Sequence, residues 1–293
     1  MKALYLHAHY DDYEFTAAGT FALWRRRLGP GFQSRVIVCT DGEAGHHQLS
    51  RAETGRRRFA EQQASARLGG YDFALLRLPN GQVPREGCLG AGRELLAALW
   101  QAIREFAPDY LFCPPLPADP LPGVHVDHLE VAEAVRRVAY LINVPHAFTP
   151  EYPAAAGPAT PCPVPVIVAV YDGYMYGANA PDLAVDIEAA FEDVVQMSWC
   201  HQSQIREWLP WVGRHQMSAP ASVAEWRQTL RARFDRKNRE LALATPHALE
   251  VFTITGWGSI PTADQLRRDF PNLLADGCRW EALVERLRRW GAE

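Results

Sequence analysis

Residues 6–15 read LHAHYDDYEF, an apolar run that leads directly into His9 and the adjacent carboxylates Asp11 and Asp12. Adjacent aspartates repel one another, and aspartate disfavours the interiors of both strands and helices, so this placement costs free energy. A bound cation would offset that cost. The stretch therefore predicts a cation-binding turn at the point where a buried strand gives way to a helix.

Short apolar runs alternate with amphipathic segments through the first 175 residues. Near-continuous apolar strands are typical of a sheet covered on both faces, and strand–helix alternation predicts mostly parallel pairing. We therefore expect an α/β fold, a Rossmann-like three-layer sandwich with a mostly parallel sheet and a mixed or helical C-terminal extension. The candidate strands are 3–9, 35–41, 72–79, 109–115 and 165–173, and the candidate helices are 15–28, 51–68, 91–106 and 127–142.

The domain organisation follows from the same alternation. We predict a Rossmann-like core over residues 1–180 and a helical extension over 181–293, with helices around 186–207 and 222–243, packed together as one unit. Residues 144–165 hold seven of the 22 prolines and form either a plain connector or a cover over the site.

Composition excludes several classes of protein. The 293 residues are 48% apolar, which is ample for a core, and the net charge of −4 argues against general affinity for nucleic acid or anionic membranes. No 18-residue apolar run predicts a membrane span, and the N-terminal apolar stretch is too short for a signal peptide. Six scattered cysteines form no C-x-x-C pair. We expect a reduced, cytoplasmic protein.

Polar residues follow four of the predicted strands. Ligands of open α/β sheets bind beyond the carboxyl ends of the strands, so these residues predict one shared site. The polar stretches are HYDD (9–12), TDGEAG (40–45), PNG (79–81) and the longer segment 114–128.

The fourth stretch ends in HVDH (125–128), where His125 and His128 open a predicted helix and are neighbours on one side of its first turn. Catalytic zinc takes three protein ligands, commonly His and carboxylate, and leaves a fourth position open. An all-oxygen magnesium or calcium site has no use for two imidazoles. One aspartate of the doublet can then bind the metal while the other stays free as a base.

These elements resemble the PIG-L/LmbE family of zinc-dependent de-N-acetylases. HAHYDD resembles its AHPDD signature and HVDH its HPDH motif, although Tyr10 and Val126 replace the family's prolines. The resemblance covers about residues 1–205 and predicts membership of the family. Its remaining elements, in chain order, are TDGEAG (40–45), Arg58 and Glu61 of an R-x-x-E motif, and CHQSQ (200–204), which is similar to H-x-SQ.

The resemblance implies a metal site. His9, Asp12 and His128 would bind Zn²⁺, or another divalent transition metal such as Fe²⁺, and Asp11 would be the general base. Zinc lowers the pKa of its bound water to about 7 and polarises the carbonyl of an acetamide.

The resemblance also implies roles for four further residues. His125 would stabilise the oxyanion or act as an acid, with Asp127 as its orienting partner, and Arg58 and Asn80 would contact sugar hydroxyls. Asn80 stands where the family commonly has aspartate, which removes a charged acceptor for a sugar hydroxyl. Whether Asp11 or His125 protonates the leaving amine stays open.

The expected function is removal of the N-acetyl group from an N-acetylglucosamine-type amino sugar or its glycoside, so the expected partner is a small N-acetylated sugar. Two alternatives stay open: a non-catalytic sugar- or metal-binding relative, and an amidase for a larger sugar conjugate or antibiotic glycoside. A pure metal binder has no use for Asp11 beside the ligand, which favours an enzyme. Family members often form trimers or hexamers, so a homo-oligomer is possible.

Overall fold

The computed structural model describes residues 1–121, 123–155, 161–175, 178–213, 217–274 and 278–292, and its central feature is one sheet of seven strands. The strands are β1 (Lys2–His7), β2 (Gln33–Val38), β3 (Asp72–Leu75), β4 (Tyr110–Cys113), β5 (Val166–Val170), β6 (Leu183–Asp186) and β7 (Leu249–Ile254). Their order is β3-β2-β1-β4-β5-β7-β6. The first five pair in parallel, and β7 runs antiparallel to both β5 and β6.

Helices cover both faces of the sheet, which confirms the predicted α/β class. They are α1 (Asp12–Thr16), α2 (Ala18–Leu28), α3 (Arg51–Gly69), α4 (Arg93–Phe106), α5 (Val126–Ala139), α6 (Phe191–Trp199), α7 (Leu209–Val212), α8 (Val223–Glu240), α9 (Ala263–Asp269) and α10 (Trp280–Arg289). A π-helical turn, Ser203–Trp208, precedes α7. Each predicted strand and helix of the first 175 residues is present within a few residues of its expected bounds. Among the described helices, none combines the length and apolarity needed to cross a bilayer.

Two apolar clusters, one on each face of the sheet, explain the continuous apolar character of β1. Ala3 and Tyr5 pack into the cluster that contains Trp24 and Trp226. Leu4 and Leu6 pack into the cluster around Trp100. Successive side chains of a strand point to opposite faces, so a strand buried on both sides needs apolar residues at every position.

The C-terminal segment contributes strands as well as helices. β6 and β7 extend the same sheet, and the β7 residue Glu250 is fully buried. Its two carboxylate oxygens accept hydrogen bonds from the Gly19 and Thr20 amides, at 2.8 and 2.7 Å. These amides belong to the first turn of α2, whose N-terminal donors need acceptors and whose dipole favours a negative charge.

The proline-rich segment 144–165 is described only in part. Phe148 packs on Trp100, with ring centroids 5.9 Å apart, so this portion lies against one apolar cluster. The prediction of a connector or a cover falls partly on residues 156–160, which lie outside the described residues.

Candidate metal centre and active site

The candidate site lies beyond the carboxyl ends of three adjacent strands. His9, Asp11 and Asp12 follow β1, the first turn of α5 carries His128 after β4, and Asp172 follows β5. In a parallel sheet these ends share one edge, so residues far apart in the chain meet there.

Three of the predicted residues form a compact triangle of ligand atoms. Nδ1 of His9 lies 3.0 Å from Nε2 of His128, and Oδ2 of Asp12 lies 3.5 and 3.6 Å from those two nitrogens. A tetrahedral ion with bonds of about 2.0–2.1 Å separates its ligands by roughly 3.3 Å. The triangle therefore has the dimensions of one face of such a coordination sphere.

Carboxylates orient both imidazoles toward the centre of this triangle. Oδ2 of Asp127 lies 3.0 Å from Nε2 of His9, and Oδ2 of Asp172 lies 2.6 Å from Nδ1 of His128. An imidazole that donates one ring N–H to a carboxylate presents its other nitrogen as a metal ligand. Asp172 was not selected from the sequence, although its position directly after β5 matches that of the other site residues.

The charge of the site also suits a cation. Burial alone lowers the pKa of His9, but the carboxylates of Asp12 and Asp127 outweigh burial and raise it to about 10. Surplus negative charge around two buried imidazoles is the environment that a divalent ion neutralises. The donor set therefore fits a transition metal of the zinc type.

Two overlapping groups of described residues can hold a metal ion. One comprises His9, His125 and His128, and the other comprises His7, Asp12 and His128. His7 was not among the predicted ligands, and its Nδ1 lies 2.5 Å from Oδ2 of Asp12. Both ring nitrogens of His7 are buried without a hydrogen-bond partner among the described residues, so this close approach to Asp12 makes His7 a further candidate ligand.

His125 lies beside the triangle but differs from its expected arrangement. Its ring centroid is 4.6 Å from that of His9 and 4.3 Å from that of His128. Asp127, expected to orient His125, contacts His9 instead, and Nδ1 of His125 has no hydrogen-bond partner among the described residues. Burial and the two neighbouring imidazoles lower the pKa of His125 to about 4, so its imidazole is neutral at neutral pH.

Asp11 adopts a left-handed backbone conformation, with φ of 79°. This conformation is costly for a residue other than glycine, and it lets consecutive carboxylates face different partners. Whereas Asp12 faces the imidazoles, Oδ1 of Asp11 lies 3.7 Å from the Arg58 guanidinium. Burial raises the pKa of Asp11 to about 6, with Arg58 and His201 opposing the rise.

Gln62 of α3 holds this strained turn. Its Oε1 accepts a hydrogen bond from the Asp11 amide at 3.1 Å, and its Nε2 donates to Oε1 of Glu14 at 2.9 Å. The hydroxyls of Ser65 and Tyr71 also donate to Oε1 of Glu14, at 2.5 and 2.8 Å. This buried network was not predicted from the sequence, because its members lie in separate segments of the chain.

The remaining predicted residues divide between the site and the surface. Arg58 is buried, 3.1 Å from Oε1 of Glu86. Glu61 accepts hydrogen bonds from the amide and hydroxyl of Ser203, at 2.8 and 2.6 Å, so the R-x-x-E and H-x-SQ elements contact each other. Asn80 is exposed and closes a turn by accepting from the amide of Gln82 at 2.9 Å. No contact of Asn80 with the triangle occurs among the described residues.

Together, the fold and the site define an α/β protein with a candidate His/Asp metal centre at the carboxyl edge of its sheet. Residues 4–139 match the PIG-L family, whose model is described as GlcNAc-PI de-N-acetylase. This match bears out, over those residues, the resemblance that the motifs indicated. No curated protein matches the chain in sequence.

Several solved structures share the fold. The N,N'-diacetylchitobiose deacetylase of Pyrococcus horikoshii is 22% identical with a TM-score of 0.65, covering 87% of this chain and 83% of its own. The 4-carboxy-2-hydroxymuconate hydratase GalB of Pseudomonas putida KT2440 is 16% identical with a TM-score of 0.59, covering 86% and 95%. The zinc-inhibited form of the teicoplanin deacetylase Orf2 is 15% identical with a TM-score of 0.51, covering 87% and 99%. A deacetylase and a hydratase thus share this fold, so function has to be argued from the site.

Proposed function

We propose that the chain is a metal-dependent hydrolase that removes the N-acetyl group from an N-acetylglucosamine-type amino sugar or its glycoside. The observation that carries this proposal is the triangle of His9, Asp12 and His128, whereas the carboxylate of the adjacent Asp11 faces Arg58. The PIG-L match supports the choice of an acetamide substrate.

His9, Asp12 and His128 would hold the ion, for which Zn²⁺ is our first choice and Fe²⁺ the second. A divalent cation there supplies Lewis-acid chemistry, polarising the amide carbonyl and acidifying water. Asp127 and Asp172 keep the two imidazoles in the tautomers that such binding requires.

Asp11 is the proposed general base. Its carboxylate accepts one proton from the water that attacks the carbonyl carbon, and the amide C–N bond then breaks to give acetate and a free amine. The leaving nitrogen gains the proton that Asp11 accepted, because the neutral imidazole of His125 has no acidic proton to give. Arg58, 3.7 Å from Oδ1, favours the ionised form of Asp11 that acts as a base.

His125 is the proposed oxyanion donor. A neutral imidazole carries one N–H. Nδ1 of His125 is buried and has no partner among the described residues, so we propose that Nε2 carries the proton and donates it to the oxyanion. Removing one donor of this kind costs about 3–4 kcal/mol of transition-state stabilisation. Arg58 contacts Glu86 and Asp11 inside the site, and its contact with a substrate hydroxyl stays a prediction.

Acetate release from zinc-loaded protein, measured with a panel of N-acetylated amino sugars and their glycosides, tests this function. We expect release from the wild type and a loss of about 10²–10⁴-fold in Asp11→Asn, with its metal content unchanged. The matched control is Asp264→Asn, because the Asp264 side chain is 90% exposed on α9.

A non-catalytic relative is the alternative, and it predicts stoichiometric metal and no acetate from any member of the panel. Turnover by Asp11→Asn at the wild-type rate would show instead that another group is the base.

A further inference from the structure

Glu86 is a largely buried carboxylate that was not selected from the sequence. It lies in the loop between β3 and α4, and its side chain is 11% exposed. Its Oε2 accepts hydrogen bonds from the amides of Ala44 and Gly45, at 2.5 and 3.1 Å, and its own amide donates to Oδ1 of Asp41 at 3.0 Å. Both its backbone and one carboxylate oxygen are therefore fixed to the loop that follows β2.

The other oxygen of Glu86 faces the guanidinium of Arg58, which lies between two carboxylates. Nη1 of Arg58 donates to Oε1 of Glu86 at 3.1 Å, whereas Nη2 lies 3.7 Å from Oδ1 of Asp11, which is too long for a hydrogen bond. The remaining hydrogen bonds of the guanidinium go to the carbonyls of Gly42 and Tyr10, at 3.3 and 3.2 Å. The bond to Glu86 is the shortest of the three, and it alone has a charged acceptor, so it holds the guanidinium most strongly.

His9 is a second neighbour of Glu86 but has a closer partner. Nε2 of His9 lies 3.7 Å from Oε1 of Glu86 and 3.0 Å from Oδ2 of Asp127. The distances therefore pair His9 with Asp127 and Glu86 with Arg58.

Without Glu86, the nearest carboxylate to the buried Arg58 would be that of Asp11. A shift of about 1 Å would bring Nη2 from 3.7 Å to about 2.8 Å from Oδ1 of Asp11, the length of a charge-assisted hydrogen bond. Such a bond would occupy one of the two oxygens with which Asp11 can accept a proton from water. A base held in this way reacts more slowly, because the bond has to break before the proton is transferred.

We propose that Glu86 is a positioning residue that holds the Arg58 guanidinium away from Asp11 and so leaves the Asp11 carboxylate available as a base. The effect on catalysis rests on the function proposed above, whereas the arrangement of the three side chains does not. Glu86 acts through Arg58 and takes no proton itself.

Crystal structures of the wild type and of Glu86→Gln test the arrangement without any assay of activity. Glutamine keeps an oxygen for the amides of Ala44 and Gly45, but it presents a neutral amide to the guanidinium. We expect Nη2 of Arg58 to lie about 2.8 Å from Oδ1 of Asp11 in the variant. A guanidinium that stays at its wild-type distance from Asp11 would overturn the proposal.

Acetate release from the zinc-loaded proteins tests the consequence for catalysis. We expect kcat of Glu86→Gln to fall about 10–100-fold. In an Arg58→Met background the same substitution should change kcat by less than about threefold, because no guanidinium remains to close on Asp11. The matched control is Glu94→Gln, since Glu94 is an exposed carboxylate in the first turn of α4 and should leave kcat unchanged.

The outcomes separate this inference from the proposed function. If the guanidinium closes on Asp11 in Glu86→Gln but no protein releases acetate, the deacetylase proposal fails and the positioning of Arg58 by Glu86 stands. Equal losses of kcat in both backgrounds would show that Glu86 acts independently of Arg58, and loss of bound metal from Glu86→Gln would assign it to His9; either result overturns the inference. Should Arg58→Met fail to fold, the distance in the Glu86→Gln crystal structure decides.

Discussion

Replacing Gln62 with methionine would test whether the strained turn at Asp11 is held by α3. Methionine nearly conserves the volume but can neither accept from the Asp11 amide nor donate to Glu14. The variant therefore removes three hydrogen bonds from a buried position, because Nε2 of Gln62 also donates to the Tyr71 hydroxyl at 2.7 Å, and it leaves the metal triangle untouched.

The hydrogen bonds lost at the Asp11 amide and at Glu14 set the expected change in the free energy of unfolding. A buried amide left without an acceptor costs about 1–3 kcal/mol, and a hydrogen bond to a charged group contributes about 1.5–3 kcal/mol. Because Ser65 and Tyr71 still donate to Glu14, part of the second loss is recovered. We expect the free energy of unfolding to fall by about 2–4 kcal/mol.

Activity should fall for a separate reason. The left-handed conformation of Asp11, with φ of 79°, costs about 1–3 kcal/mol and persists only while its surroundings enforce it. Without Gln62 the turn relaxes and its carboxylate spends less time in reach of the substrate. We expect kcat to fall about 10–100-fold, with KM and metal content within about threefold of the wild type.

Three measurements on the same protein preparations check this prediction: urea denaturation followed by tryptophan fluorescence, acetate release, and metal content by mass spectrometry. The matched control is Gln63→Met, since Gln63 is the exposed neighbour on α3. Gln62→Glu restores an acceptor for the Asp11 amide, but it places a second carboxylate beside that of Glu14, and the two like charges repel one another. It should therefore be less stable than Gln62→Met and yet have the higher kcat.

An unfolding midpoint and kcat equal to those of the wild type in Gln62→Met would refute the role of the network. Lower stability with an unchanged kcat would show that Gln62 supports the fold and leaves the Asp11 carboxylate where it was.

Three further predictions concern the metal, a helix cap and a buried amine. Asp12→Ala should lose bound metal on dialysis, because it removes one ligand of the triangle; stoichiometric metal in this variant would exclude Asp12 as a ligand. Ser50→Ala should lower the unfolding free energy by about 1 kcal/mol in urea, since it removes the N-cap of α3; an unmoved midpoint would contradict this. Burial lowers the pKa of Lys237 to about 7, whereas lysine in the unfolded chain titrates near 10.5. The unfolded chain binds more protons between these values, so wild-type stability should gain on the order of a few kcal/mol as the pH rises through that window. Lys237→Met should lack this gain, and a pH profile identical to that of the wild type would exclude Lys237 as its source.

The amino-acid sequence by itself determined the layered α/β fold and the local parts of the site. The middle of β1, residues 3–6, is apolar at every position, as a sheet covered on both faces requires. The residues that begin and end helix α3, the Ser50 cap and Gly70, are likewise visible in the sequence. HYDD and HVDH were recognisable because each is a short local motif, the first directly after β1 and the second at the start of α5. Such features depend on residues that are only a few positions apart, so a pattern along the sequence can predict them.

Only the tertiary structure decided how these parts pair. Asp127 contacts His9, 118 residues away, rather than its near neighbour His125, and Asp172 completes the environment of His128 from 44 residues further along the chain. β6 and β7 likewise join the sheet across segments that are mostly helical. The packing of the whole core sets the distance between two hydrogen-bonding groups to within a few tenths of an ångström. The periodicity of residues along the chain contains no information about such distances.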